Sequence, residues 1–566
     1  MHQENSFQSK ILLVSSVLFF LMLSACQFDS IKPSTIIQNT TDSQKIFVAK
    51  TETPHLQPTF TKKSLDNVIL NKWWASNSIS QDDLEVIATL NEIKFSENND
   101  EAYMWIEPFS SGLRKSMIIF QKLFVICAPF TELDSNISRN DLERILTNNE
   151  YLPNQFIWIK SDDLQYIKQL YKNIILDRFI ISDIMPNECY QVRCWRINSF
   201  EESEPYWSIL SIDGNDPLHD DFDIDSYPLV YQLAATVNPK GNLIENAVPI
   251  IPFQNFQKEK VTSLILTGTT ALVRTTALRI EEIGLDFPSK NLRKFLSSAD
   301  ITHISNEVPF YQNCPPAVPL RKEMRFCSDP KYIEVLKNVG ADIIELTGNH
   351  LLDWGPEAFQ ETLQIYKAEG FKYYGGGKDL EEASKPLFVA INDNNFVFIG
   401  CNVAGPDNNW ATNSRPGTKK CDMENLKEEL IRYRSEGFLP IVTLQHFEVE
   451  DFKPIRQLRD DFSTLAISGA IVVSGSQAHF PQGFDFVNNA FIHYGLGNLF
   501  FDQMDNWLRK STIDVHYFYK GKYLNTEIYP IMNEDYGQPR FMTTEESKLF
   551  MGKMFENSFY FLNNNS

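Results

Sequence analysis

The sequence predicts an α/β protein with a C-terminal layered domain, a β-sheet core flanked by helices, and a separate N-terminal mixed α/β domain before it. Two observations carry this. Over residues 258–530, short apolar runs of strand length alternate with stretches of helix length, and most of the runs end in Gly, Asn, Gln or Ser. The composition also supports a real core: 43% of the 566 residues are hydrophobic and 22% are charged, which excludes wholesale disorder. At ~150 residues per domain, the length is that of a multidomain chain. The 52 Lys and Arg against 73 Asp and Glu give a net charge of −21, which argues against nucleic acid as a partner.

From the N-terminus, Lys10 precedes an apolar run at 11–23, too short to span a bilayer, that closes in Leu23-Ser24-Ala25-Cys26. That ending resembles a bacterial lipobox. It implies a signal peptide over 1–26, lipidation of Cys26, and a mature chain anchored by lipid outside the cytoplasm. Residues 27–66, rich in Ser, Thr, Gln and Pro, read as a tether. The N-terminal domain, 67–250, shows an apolar strand at 117–128 and a helix near 141–147 with Ser138 or Asn140 as its cap. A strand at 156–159, a helix near 162–172 and a strand at 207–212 ending in Asp213-Gly214 follow. Its layout after a tether is that of a solute-binding module, an analogy of architecture alone. The acidic stretch at 219–225, with Asp220, Asp221, Asp223 and Asp225, reads as a solvated loop rather than a cation site.

In the C-terminal domain, strands are expected at 264–266, 300–304, 342–346, 396–400, 440–444 and 470–474, with helices at 355–369 and 423–436. Residues 531–566 read as a helical extension. Gly375-Gly376-Gly377 lacks the Lys and Ser/Thr of a phosphate loop and reads as a turn. Apart from Cys26, six cysteines fall into local pairs suited to an oxidising compartment: Cys189/Cys194, Cys314/Cys327 and Cys401/Cys421. Cys127, in an apolar run, reads as a buried thiol.

Polar residues just past parallel strand ends converge on one edge of a sheet. Here they are Thr269, Asn306, Glu307, Asn349, His350, Asp353, Gln445, His446, Glu448, Glu450, Ser476, Gln477 and His479. Carboxylate, amide and imidazole donors of this kind suit a divalent cation or acid/base chemistry. Taken singly, Asn306, Asn349 and Asn498 read as loop caps, and Asp353 as support for the start of a helix.

The order of motifs is more specific than any one of them. Ala299-Asp300 runs to Ser305-Asn306-Glu307. Gly340-Ala341-Asp342 runs to Thr347-Gly348-Asn349-His350 and Asp353-Trp354-Gly355. Tyr374-Gly375-Gly376-Gly377 follows, then Gly475-Ser476-Gln477-Ala478-His479 and Tyr494-Gly495-Leu496-Gly497-Asn498. Residues 260–505 thereby resemble the CapA family of poly-γ-glutamate capsule biosynthesis proteins, whose domain is similar to the calcineurin-like metallophosphoesterases. The chain departs from that pattern at Thr269 and Gln477, where the family has a carboxylate and an imidazole, and at Ser305, Gly348, Phe447 and Glu448.

The resemblance implies catalytic roles for Glu307, His350, His446 and Glu450, and substrate contacts from Asn306, Asn349, Gln477 and His479. It implies either one divalent cation (Mn, Zn or Mg) held by Glu307, Asn349, His446 and His479, or none. Glu307 and Glu450 are expected to act as a carboxylate pair of unlike pKa, and Arg274, Arg279 and Lys322 to offset the net charge near an anionic polymer. Two functions stay open. One is the synthesis, export or processing of an anionic capsule polymer by a hydrolase, beside other capsule-synthesis partners. The other is a catalytically degenerate binding or scaffold lipoprotein for a cell-envelope ligand.

Overall fold

The computed structural model describes residues 72–109, 116–148, 156–186, 189, 194–238, 250–319 and 324–558. The expected signal sequence with Cys26, the expected tether and Lys322 lie outside them. Among the described residues, no helix is long and apolar enough to cross a membrane.

The N-terminal part is built on a mixed sheet. Its strand order is Lys94–Phe95, Lys72–Ala75, Met104–Pro108, Val230–Val237, Ser116–Pro129, Trp195–Ser199, Ile157–Ile159 and Phe179–Ile181. The expected strand at 117–128 is the central member, Ser116–Pro129, where six consecutive residues from Leu123 to Ala128 are fully buried. Burial on both faces accounts for its unbroken apolar run. Ser138 caps the helix Arg139–Thr147 by accepting from the Asp141 N–H. The expected strand at 207–212 is broken into Trp207–Ile209 and Ser211–Ile212, and Asp213 and Gly214 turn the chain with positive φ.

The C-terminal part stacks two sheets face to face. In one, Lys372–Tyr374, Ile343–Glu345, Ile301–Asn306 and Val261–Thr270 run parallel, and Lys510–Tyr519, Lys522–Glu534 and Gln538–Phe541 continue antiparallel. In the other, Asn394–Asn402, Leu439–Gln445, Val472–Ser474 and Ala490–Gly495 run parallel, with Leu387–Ile391 and Gln482–Val487 antiparallel at the edges.

Alternation along the strands sorts the core. Leu264, Leu266, Phe396, Phe398 and Ile441 fill the space between the sheets. Ile265 and Ile304 face the opposite side with Phe359, Leu363 and Tyr366 of the helix Gly355–Glu369. Val397, Ile399 and Val442 pack on the helices Met423–Ser435 and Arg456–Ile467 through Leu426, Leu430, Phe462 and Leu465. The result is helices, sheet, sheet, helices. All six strands expected in this region are present.

Two expectations are corrected. Position 531 falls inside the strand Lys522–Glu534, so the C-terminal segment is no purely helical extension; only Thr544–Glu556 of it is helical, after a further strand. Gly376 and Gly377 form a short strand against Gly417–Thr418, and the turn is confined to Gly375, at positive φ. The two halves share no sheet, yet both lie in one compact unit, Thr51–Ser566, and the Ile209 N–H donates across to Asn525 Oδ1 (3.1 Å). Disulfides join Cys189–Cys194, Cys314–Cys327 and Cys401–Cys421, and Cys127 is a buried free thiol.

Candidate functional site

Parallel strands place their carboxyl ends on a common edge, and the segments leaving those ends supply the site. Glu307 follows Ile301–Asn306, and His350 follows Ile343–Glu345. Glu448 follows Leu439–Gln445, and His479 follows Val472–Ser474. Gly348 explains one departure from the family pattern: a Cβ there would stand 2.7 Å from the Glu307 Cα, so a side chain would displace the backbone that carries Glu307.

Carboxylate oxygens of Glu307 and Glu448 and a ring nitrogen of His479 lie within 4.8 Å of one another. His479 Nε2 stands 3.4 Å from Glu307 Oε1, an ion-pair contact, and its Nδ1 bonds Asn498 Oδ1 at 2.7 Å. The ring stacks on Phe501. Asn498 is itself fixed through Nδ2, which donates to Gln503 Oε1 and the Leu508 carbonyl. His350 bonds Asp353 through Nδ1 (2.8 Å), and Asp353 also accepts from the Phe326 N–H. Asp353 thus orients His350 instead of merely starting the helix. Arg274 is clamped by Asp502 and lies over the rings of Phe326 and Phe501.

The electrostatics separate the two carboxylates. Burial pushes Glu307 up, but the charges of His479, His350 and Arg274 outweigh it and hold the group below the usual carboxylate range. Although the residue as a whole is exposed, loss of solvent around its carboxyl within the cluster raises Glu448; the His479 charge opposes this and the Glu307 charge adds to it. For His479, burial disfavours the cation, yet Glu307 and Glu448 raise the ring to about 10. His350 also rises despite its burial, through Asp353 and Glu307.

A stability prediction follows from His479. Unfolded, the ring titrates near ~6.5; folded, near 10. Its contribution is therefore complete below ~6.5 and drains away as pH rises towards 10. Urea midpoints of the metal-free chain should fall between pH 7 and 10. The slope should flatten in His479→Gln, and an unchanged slope would contradict the Glu307–His479 ion pair.

Three expected site residues are placed otherwise. His446 uses both ring nitrogens locally: Nε2 bonds Asp461 (3.0 Å) and Nδ1 accepts from the Phe447 N–H (2.9 Å). As arranged, it has no nitrogen left for a metal or a substrate. Glu450 is exposed and stands outside the cluster; the carboxylate that enters is Glu448, also an exposed residue, held by Gln445 Nε2 at 3.2 Å. Asn306 is fully buried with its amide donating to the Val308 carbonyl, a loop cap with no surface for substrate.

Thr269 is fully buried and its hydroxyl faces the Ser476 carbonyl at 3.4 Å. Of the expected basic patch, Arg274 and Arg279 are engaged by Asp502 and by Glu282 and Asp535. Sequence reasoning passed over Arg274 and Asp502 as a pair, Asn498 as a histidine partner, and the buried Glu345. Glu345 accepts from Thr347 and from Ser476 in the turn leading to His479.

The donors fit one divalent cation. Glu307, Glu448 and His479 supply three clustered donors, and Glu307 Oε1 has no partner beyond the ion-pair contact with His479. They do not fit two, because Thr269 and Gln477 offer only neutral oxygens or an amide at the remaining positions. A cavity of about 340 Å³ includes Arg274, Phe326, Arg325, Lys331 and the Cys314–Cys327 disulfide in its wall. Phe326 packs edge-on against His350, so this cavity adjoins the cluster.

Comparison with known proteins agrees with the motif order. The family described as "Bacterial capsule synthesis protein PGA_cap" matches residues 263–503. The chain is similar to the capsule biosynthesis protein CapA of Bacillus anthracis, at 21% identity over 292 residues, which is 50% of this chain and 69% of that protein. It is also similar to the PGA biosynthesis protein CapA of Bacillus subtilis, at 21% identity over 48% of this chain and 72% of that one. A solved structure described as a novel phosphatase, from Mycoplasma pneumoniae, aligns with a TM-score of 0.33 and 12% identity over 49% of this chain and 95% of that one. With the motifs in family order and the match lying on the sheets that carry the site, residues 263–503 form a domain similar to the capsule synthesis proteins of the CapA family.

Proposed function

We propose that this chain acts outside the cytoplasm, anchored by a lipid on Cys26, in the synthesis, export or processing of an anionic capsule polymer such as poly-γ-glutamate, which it hydrolyses. The names of the CapA relatives support the polymer class. The meeting of Glu307, Glu448 and His479 at one sheet edge carries the chemistry.

Hydrolysis of an amide needs a base to take a proton from water and an acid to protonate the departing nitrogen. Glu448, with its raised pKa, serves both steps in turn. Glu307 stays ionised and keeps His479 cationic, so the imidazolium can stabilise negative charge growing on the carbonyl oxygen. His350, oriented by Asp353, positions the chain from the other side. With the His479 ring neutral instead, Glu307, Glu448 and His479 would hold one Mn, Zn or Mg ion, which would supply the polarisation in place of the imidazolium. The net charge of −21 repels a polyanion over distance. Arg325 at the adjoining cavity gives its carboxylates a local counter-charge; Arg274 and Lys331 there are already paired with Asp502 and with Glu281 and Asp329.

The second reading is a degenerate binding or scaffold lipoprotein, favoured by Thr269 and Gln477. To separate the two, the full chain is incubated with poly-γ-glutamate and with generic phosphoesters, with and without Mn²⁺ or Zn²⁺. Turnover that disappears in Glu307→Gln supports the hydrolase. Saturable, chelator-insensitive binding without turnover supports the scaffold.

A further inference from the structure

We propose that Asp216, His219 and Glu527 form a second cation site, for a divalent metal of the zinc class, that ties the N-terminal part to the C-terminal hairpin. It shares no element with the Glu307 cluster and lies outside the matched domain at 263–503. Asp216 and His219 stand in the segment after the strand Ser211–Ile212, and Glu527 on the strand Lys522–Glu534. One ligand atom from each lies within 4.8 Å of the others, beside a cavity of about 210 Å³ that all three line.

Several features distinguish this set from an ordinary acidic surface. Asp216 is only 4% exposed, and the one hydrogen bond to its carboxylate comes from the Leu218 N–H, so the buried group shares the cluster with one oxygen not committed to any hydrogen bond. Glu527 is oriented as metal-binding carboxylates are, by outer groups: Tyr517 and Tyr529 both donate to its Oε2, at 2.9 and 2.6 Å. Its other oxygen has no hydrogen bond among the described residues. His219 Nε2 sits 3.6 Å from Glu527, with the side chain 43% exposed, so the ring can swing and the site has an entrance.

The nearby cation Lys258 is occupied by the Leu218 carbonyl and Asp220. Two carboxylates and one imidazole match a three-ligand zinc site that leaves a position for water, and imidazole disfavours magnesium or calcium. Asp220, Asp221, Asp223 and Asp225 remain exposed, as a solvated loop.

The test uses the full chain stripped of metal, carrying Glu448→Gln and His479→Ala so that the first cluster is disabled. Zinc is titrated at pH 7 by calorimetry in two buffers of different ionisation enthalpy, and Tm is followed alongside. One equivalent should bind with release of protons and a rise in Tm. Asp216→Asn and His219→Ala should each weaken binding by about tenfold or more. His219 is exposed enough that its variant reports on binding and not on folding. Asp223→Asn should change nothing, and magnesium should not substitute. Absence of binding at millimolar zinc, binding that survives His219→Ala, or equal loss in Asp223→Asn would each overturn the site.

Discussion

Glu448→Gln is expected to lower kcat for the proposed hydrolysis of poly-γ-glutamate by ~10²–10⁴-fold, the range of a lost general acid/base, while Glu450→Gln stays within about twofold. The two residues are only two apart, so composition and gross charge change identically and position alone is tested. Glu448 reaches the cluster with Glu307 and His479, whereas Glu450 is exposed outside it. Glutamine keeps the size and the bond to Gln445 but can no longer release or accept the proton. Glu307→Gln should cost a comparable factor by a different route: without its charge, the His479 ring loses its largest source of elevation and titrates lower. The pH profile distinguishes them. The alkaline limb should move to lower pH in Glu307→Gln, and the limb belonging to Glu448 should vanish in Glu448→Gln. His446→Ala should leave kcat nearly intact and lower stability, because its partner is Asp461. If Glu450→Gln proved the damaging change, the cluster described here would not be the reacting centre.

The strands of the C-terminal half were legible because apolar runs with polar ends carry both period and boundary, as at 396–400 and 440–444. The choice between Glu448 and Glu450 was not. Past a strand end, the direction of a side chain depends on loop dihedrals that no hydrophobic period reports, and motif spacing alone pointed to Glu450, which the fold leaves outside the cluster. His446 misled for a related reason. Its partner Asp461 comes from the helix Arg456–Ile467, one turn in, and nothing in the strand-end pattern points there. Glu307 and His479 were legible because each lies in a motif anchored to its strand by tight backbone contacts. The Asp216–Glu527 pairing spans more than three hundred positions, so only the folded chain brings it together.

Those tight contacts give the second large effect: Gly268→Ala should destabilise the chain by about 3 kcal/mol or more, beyond the ordinary range for a surface change. The need for glycine here is space, since a Cβ would stand 1.9 Å from the Gly497 carbonyl oxygen and 2.8 Å from its carbon. Both are backbone atoms, so no rotamer relieves the clash. The Gly497 carbonyl accepts from the Thr269 N–H at 2.9 Å, and the neighbouring Leu496 carbonyl accepts from Thr512 at 2.9 Å. Retreat of this turn would break these bonds and drag Asn498 away from His479 Nδ1, coupling a fold defect to the site. Gly552→Ala is the contrast. It lies in the helix Thr544–Glu556 with nothing within 4 Å of the new methyl, and should stabilise by ~0.5–1 kcal/mol. Urea midpoints should therefore move in opposite directions for the same chemical change. A Gly268→Ala chain as stable as wild type would mean that the Val261–Thr270 strand and the Gly497 turn do not meet, and the seat of Asn498 and His479 would be lost with them.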